Sequence, residues 1–141
     1  MQEQSFGIIP LTFRGQIWDL FLVRHLNGLH WGFPKGRAET GESPKQAAER
    51  ELQEETAMKV IRYLPHPYLV DRYHYKTRAG ERIAKRVQLY LAEVTPSYRL
   101  QKEELIEGKW VAAKDLFTYV SFESQRPLYR AILKMLKTQV E

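Results

Sequence analysis

Apolar and polar residues alternate along this chain in two rhythms, one with the period of a strand and one with the period of a helix. Residues 5–10 and 17–24 are short apolar runs that predict strands, and Phe13-Arg14-Gly15-Gln16 supplies the turn of an opening hairpin. After Asp19 the second run, Leu20-Phe21-Leu22-Val23, has no polar position. That is the pattern of a strand covered on both faces, which places the sheet inside a layered fold. Residues 58–64, 68–75 and 83–94 are rich in β-branched and aromatic side chains and predict the rest of the sheet, with Pro65, Pro67 and Thr77-Arg78-Ala79-Gly80 between them. Pro96 closes the last of these, and a polar connection over 97–102 leads to a further strand over 106–111 and a short helix over 112–117.

The helical rhythm appears twice more. Ser43-Pro44-Lys45-Gln46 is a complete helix start, since Ser43 caps, Pro44 suits the first helical position and Gln46 reaches back as the capping-box partner. The helix is expected over 44–56, packed on the sheet through Ala47, Ala48 and Leu52. Near the end, Leu128, Ile132, Met135 and Leu136 recur at helical spacing between basic residues, predicting an amphipathic helix over 124–137. Between hairpin and first helix, residues 27–36 hold three glycines and a proline among two aromatics, the composition of a shaped loop. No repeat or linker interrupts the 141 residues, so one domain spanning 1–141 is expected.

Composition narrows the chemistry. With no cysteine, a metal would be held by oxygen or imidazole, which favours a hard ion such as Mg²⁺. No stretch approaches the length of apolar chain that spans a bilayer, and the beginning of the chain lacks a basic, apolar leader; a cytoplasmic protein with no membrane partner is expected. The formal charge of +5 is unevenly spread. Residues 36–58 carry six acids against three bases, whereas 61–102 carry nine bases against three acids, including Lys85 and Arg86. Metal on the acidic pole and phosphate on the basic segment would use both.

Arg50-Glu51-Leu52-Gln53-Glu54-Glu55 places three carboxylates on one helical face, where they repel unless a divalent cation joins them. Mg²⁺ prefers carboxylates together with waters and substrate phosphates, so this face predicts a ternary complex with a polyphosphate. A solvated acidic face would explain the glutamates alone, and the wider spacing decides against it. Gly36, Glu42 and Arg50 to Met58 resemble the Nudix box, the loop-helix-loop signature of the Nudix hydrolases, at every position but Ala57, where that family has glycine after the helix. The resemblance implies the Nudix fold, an α/β/α sandwich around a mixed β-sheet. It also implies hydrolysis of a nucleoside diphosphate linked to another group, by water attacking phosphorus with Mg²⁺, for which Mn²⁺ can substitute. By position, Glu51, Glu54 and Glu55 become metal ligands and base candidates, Glu51 preferred as base and the others left open. Arg50 would order the carboxylates, Gly36 would let the loop backbone approach, and Glu42 would take a structural or outer-metal role.

Outside the box, three stretches resemble the asymmetrical diadenosine tetraphosphate hydrolases of the same family. They are Trp31-Gly32-Phe33-Pro34-Lys35-Gly36, the strand beginning Lys85-Arg86-Val87, and Glu104 placed before Trp110. On that resemblance Lys35 and Lys85 touch phosphates, Glu104 is an extra metal ligand or base, and Tyr75 and Phe122 stack on adenine, with Tyr73 and Tyr119 as substitutes. Arg37 stands where those hydrolases have histidine, keeping a phosphate contact. His25, His30, His66 and His74 share no metal spacing and are read as structural or exposed. The reaction so implied is cleavage of diadenosine tetraphosphate to ATP and AMP, with no stable nucleic-acid complex. Two rivals accompany it: another pyrophosphohydrolase, acting on 5′-triphosphorylated RNA, a nucleoside triphosphate or a diphosphoinositol phosphate, and a non-catalytic nucleotide or RNA sensor.

Overall fold

Backbone pairing, more than local propensity, sets the length of the strands. The computed structural model describes residues 2–26, 29–65 and 68–138; Asn27, Gly28, His66 and Pro67 lie outside these. The opening strand β1 runs over Gln2–Arg14, well beyond the apolar run that predicts it, because it pairs in parallel with β7 (Arg82–Val94) from Gln2 opposite Ala84 to Leu11 opposite Glu93. β2 (Ile17–His25) returns antiparallel beside the far end of β1. Where the two strands separate, the shaped loop contributes two short strands that fill the fork: β3 (Trp31–Gly32) on β2 and β4 (Lys35–Gly36) on β1. Beyond β7 lie β5 (Val60–Tyr63) and β6 (Leu69–Lys76), and β8 (Leu105–Ala112) borders β2. The sheet is therefore mixed, with β1 and β7 as its parallel centre.

Strand alternation divides the apolar residues between two layers. Ile8, Phe21, Val23 and Ala92 face α1 (Pro44–Thr56), meeting Ala48 and Leu52. Ile9, Leu20, Leu22, Leu89 and Leu91 face α2 (Gln125–Thr138), meeting Leu128, Tyr129, Ile132 and Leu136. This is the layered fold expected from the doubly covered strand and the α/β/α sandwich that the Nudix resemblance implies. The short segment predicted as helix over 112–117 forms a 3₁₀ turn over Ala113–Tyr119.

α1 begins and ends as its sequence dictates. Ser43 Oγ accepts from the Gln46 amide at 3.2 Å and Gln46 Oε1 accepts from the Ser43 amide at 2.8 Å, closing the capping box. At the other end Ala57 adopts a left-handed φ of 64°, and its N–H donates to the Gln53 carbonyl at 2.9 Å. An alanine pays about 1 kcal/mol for that conformation, which glycine would not. The amides of Arg99 and Gln101 then donate to the carbonyls of Thr56 and Glu55, both at 2.9 Å, so the connection leading to Glu104 is fastened to the end of α1.

Candidate active site

Arg50 is the hub of the acidic helix. Its Nε and Nη2 donate to the two oxygens of Glu42 at 2.7 and 3.0 Å, a bidentate pair, and Nη2 also donates to the Arg37 carbonyl at 2.9 Å. Nη1 donates to Glu51 at 3.0 Å and to Glu54 at 3.1 Å. These hydrogen bonds raise the Arg50 guanidinium further above its ordinary range, and the Arg50 pair holds the Glu42 carboxyl below its own. One cation thus ties the loop after β4 to the second half of the helix. Gly36 belongs to the same arrangement, because a Cβ there would fall inside the Glu51 carboxyl group.

The three glutamates share a side of α1 but differ in exposure. Glu54 is exposed, Glu51 half-buried, and Glu55 only 3% exposed with Oε2 lacking any hydrogen-bond partner. Burial, then the hydrogen bond and charge of Glu51, push the Glu55 carboxyl up to about 9, with the Glu104 charge adding and Lys35 opposing. Lys35 is itself lowered, chiefly by burial and by the charge of Lys85, while Glu55, Asp71 and Glu51 act the other way. Glu104 is exposed on the turn before β8, within electrostatic reach of Glu55.

A cleft lies over β6 and the start of α2, and Lys35 of the cluster above lines it. Its inner chamber is lined by His25, His30, Lys35, Asp71, Tyr73 and Phe122, and its outer part, about 740 Å³, by Tyr73, Tyr75, Arg72 and Phe122. Tyr73 and Phe122 line both, and Phe122 remains 48% exposed. Tyr119 does not enter: it packs edge-on against Trp31 at 5.3 Å, with Lys109 Nζ 4.6 Å from its ring centre. The Phe122 segment is held by Gln125, whose Oε1 accepts from the amides of Ser121 and Phe122 and whose Nε2 donates to the Trp31 carbonyl at 3.0 Å. Burial, helped by Lys35 and His30, pushes the His25 imidazole down to about 3, so it is neutral where it stacks on His30 at 4.7 Å. His74 is exposed on β6.

The sequence model of the NUDIX domain family matches residues 1–132. The chain belongs to the Nudix family. A relative, the RNA pyrophosphohydrolase of Nitratiruptor sp., is 30% identical over 118 residues, covering 77% of this chain and 75% of its own length. Among solved structures, a Caenorhabditis elegans Ap4A hydrolase in a binary complex superposes with a TM-score of 0.72 at 19% identity, covering 96% of this chain and 98% of that one. The Nudix domain of Shewanella oneidensis NrtR with ADP-ribose superposes at 0.69 with 18% identity, covering 100% and 90%. At such identities the two structures speak for the fold alone. The chain is a Nudix hydrolase.

Nudix hydrolases generally use divalent ions such as Mg²⁺, and the residues here fit one. Glu51, Glu54 and Glu55 are hard oxygen donors, and Glu55 Oε2 is a buried acceptor with no donor. Among the described residues no three acidic or imidazole groups already stand at ligand geometry, because Arg50 draws Glu51 and Glu54 to itself. Glu55 has a consequence for stability. Folded, it keeps its proton up to about 9 against 4.5 for an ordinary glutamate, so across that window the native state binds more protons than the unfolded state. Its contribution to stability is therefore present below pH 4.5 and lost as pH rises through about 9. Urea melts between pH 5 and 9 without divalent metal should fall more steeply for the wild type than for Glu55→Gln. Equal slopes would contradict the raised carboxyl.

Proposed function

We propose that this Nudix hydrolase cleaves diadenosine tetraphosphate to ATP and AMP in a Mg²⁺-dependent reaction. The observation that carries the reading is the lining of the cleft: Tyr73 and Phe122 line the same chamber as Lys35, whose buried ammonium feels the charges of Glu55 and Glu51. The C. elegans Ap4A hydrolase sharing the fold is consistent with it.

In this reading water attacks a phosphorus of the chain, the bond to a bridging oxygen breaks, and ATP and AMP leave. Glu51 takes the proton from water, held in place by Arg50 and by the bare backbone of Gly36. Glu51, Glu54 and Glu55, with Glu104 on the turn before β8, would hold the Mg²⁺, which would supply positive charge to the phosphate oxygens and acidify the attacking water. Lys35 and Lys85 offset phosphate charge. Tyr73 serves the base, since it lines both chambers, whereas the Tyr75 hydroxyl donates to Glu3 at 2.7 Å and so faces the phosphate side together with Arg37. Stacking of a base on an aromatic ring contributes roughly 1–3 kcal/mol. Phe122→Ala is accordingly expected to raise KM for diadenosine tetraphosphate by about tenfold or more, while inhibition by inorganic tripolyphosphate, which has no base, stays as in the wild type. Steady-state kinetics with both compounds check this; equal weakening of both would remove Phe122 from base binding.

A second reading, removal of pyrophosphate from 5′-triphosphorylated RNA, is favoured by the Nitratiruptor relative and by the cationic β6–β7 hairpin, which bears Arg72, Lys76, Arg78, Arg82 and Arg86. The ratio of kcat/KM for the dinucleotide to that for a triphosphorylated RNA oligonucleotide separates the two. The dinucleotide should be preferred; preference for RNA would reverse the assignment.

A further inference from the structure

A second cavity, which shares Arg72, Tyr73 and His74 with the outer part of the cleft, contains an anion of its own. Glu3 lies directly opposite Lys85 in the parallel β1–β7 register, and Tyr73 lies opposite Lys85 on the other side, so the three form a row across the sheet. Three of the residues assigned above to substrate converge on the Glu3 carboxylate. Tyr75 Oη donates to Oε1 at 2.7 Å, Lys85 Nζ stands 3.5 Å from the same oxygen, and Arg37 Nη2 pairs with Oε2. The Glu3 and Lys85 side chains are only 14% and 11% exposed, whereas Arg37 is 66% exposed, so the carboxylate is half-buried with its guanidinium partner at the solvent edge. Tyr75 first of all, with Arg37 and Lys85, holds the Glu3 carboxyl below its ordinary range. The cavity beside it, about 540 Å³, is bounded by Arg72, His74, Lys85 and Arg86, and Glu3 is the sole acid among the described residues that line it.

Two oxygens meeting a hydroxyl, an ammonium and a guanidinium is the arrangement by which those groups would take a phosphate. We propose that Glu3 is a built-in phosphate mimic that occupies the outer phosphate seat and sets the affinity threshold of the site. A polyphosphate must displace this carboxylate, or bind against its charge, before Arg37, Tyr75 and Lys85 are free to receive it. Short anions such as orthophosphate gain too little from the exchange. A chain of four phosphates supplies enough charge to win it, and Glu3 thereby selects long polyphosphates without touching the reacting phosphorus. The proposal rests on the substrate reading for Arg37, Tyr75 and Lys85.

Glu3→Gln separates mimicry from scaffolding, because the amide keeps an acceptor for the Tyr75 hydroxyl and removes the charge. In the full chain with Mg²⁺, KM for diadenosine tetraphosphate should fall by roughly tenfold with kcat little changed, and orthophosphate, weak against the wild type, should become a measurable inhibitor. A purely positioning Glu3 gives the opposite sign, with KM raised in Glu3→Gln and further in Glu3→Ala, and that result overturns the proposal. Calorimetric titration with inorganic tripolyphosphate reads the same seat independently of catalysis. If the wild type fails to cleave the dinucleotide yet Glu3→Gln binds tripolyphosphate more tightly than the wild type, the substrate reading falls and the mimic stands. Tripolyphosphate affinity that is unchanged or weakened in Glu3→Gln overturns the mimic whatever the substrate.

Discussion

Glu54→Gln is expected to lower kcat for diadenosine tetraphosphate by at least about 100-fold while leaving the fold intact. The Glu54 side chain is 56% exposed and its protein contact is the charge pair with Arg50 at 3.1 Å, so the amide loses little stability; thermal midpoints should agree within about 2 °C. On the proposed reading, what it removes is one of the negative charges that would gather a divalent cation beside the phosphate chain. The dependence on Mg²⁺ should shift with it, half-maximal rate requiring a higher concentration in the variant than in the wild type. Loss of activity with an unaltered Mg²⁺ profile would take Glu54 out of the metal site and leave it as a partner of Arg50. Full activity in Glu54→Gln would remove it from the reaction altogether.

Gly36→Ala is expected to be costly for a different reason. The new methyl would overlap the Glu51 carboxyl, and the neighbour that must give way is itself fixed by Arg50. Overpacking of this kind costs about 1–3 kcal/mol, and a displacement of about 1 Å at a reacting group costs about 100-fold in rate. Both losses should appear together, in chemical denaturation and in kcat. Gly15→Ala is the control: its φ of 67° strains any side chain, but nothing lies within 4 Å of the added methyl and the residue sits in the hairpin turn away from the cleft. It should lose stability and keep kcat. A Gly36→Ala enzyme with wild-type kcat would show that Glu51 has room to move and does not depend on the close backbone.

The parts of this molecule legible in its sequence are those whose causes are local. Ser43, Pro44 and Gln46 start α1 at the residue predicted, since a capping box involves only neighbours in the chain, and α1 then carries the glutamates to one side. The doubly covered sheet is legible as well, because Leu20 to Val23 leave no polar position to face water. β1 is longer than its apolar run because its first residues are made strand by β7, eighty residues away in the sequence, and no propensity in Gln2, Glu3 or Gln4 announces that partner. For the same reason Glu3 was invisible: a lone acid near the start of a chain acquires meaning only when the parallel register sets it against Lys85. Gln125 escapes in the same way, as a polar residue at a helix start whose work is to bind two loops. Which of Tyr119 and Phe122 is open to a ligand likewise depends on packing, since Trp31 packs against the first ring and the second is 48% exposed. The left-handed turn at Ala57 is the reverse case: the family pattern points to that conformation, and the residue here adopts it at a cost.

The proposed reaction is defined by the bond that is broken and the substrate that carries it. Chromatography of the products formed from diadenosine tetraphosphate and Mg²⁺ by the full chain tests it most directly. Equimolar ATP and AMP, absent when Glu54 is replaced by Gln, is the result predicted. Two molecules of ADP, or an intact dinucleotide alongside rapid release of pyrophosphate from triphosphorylated RNA, would contradict it.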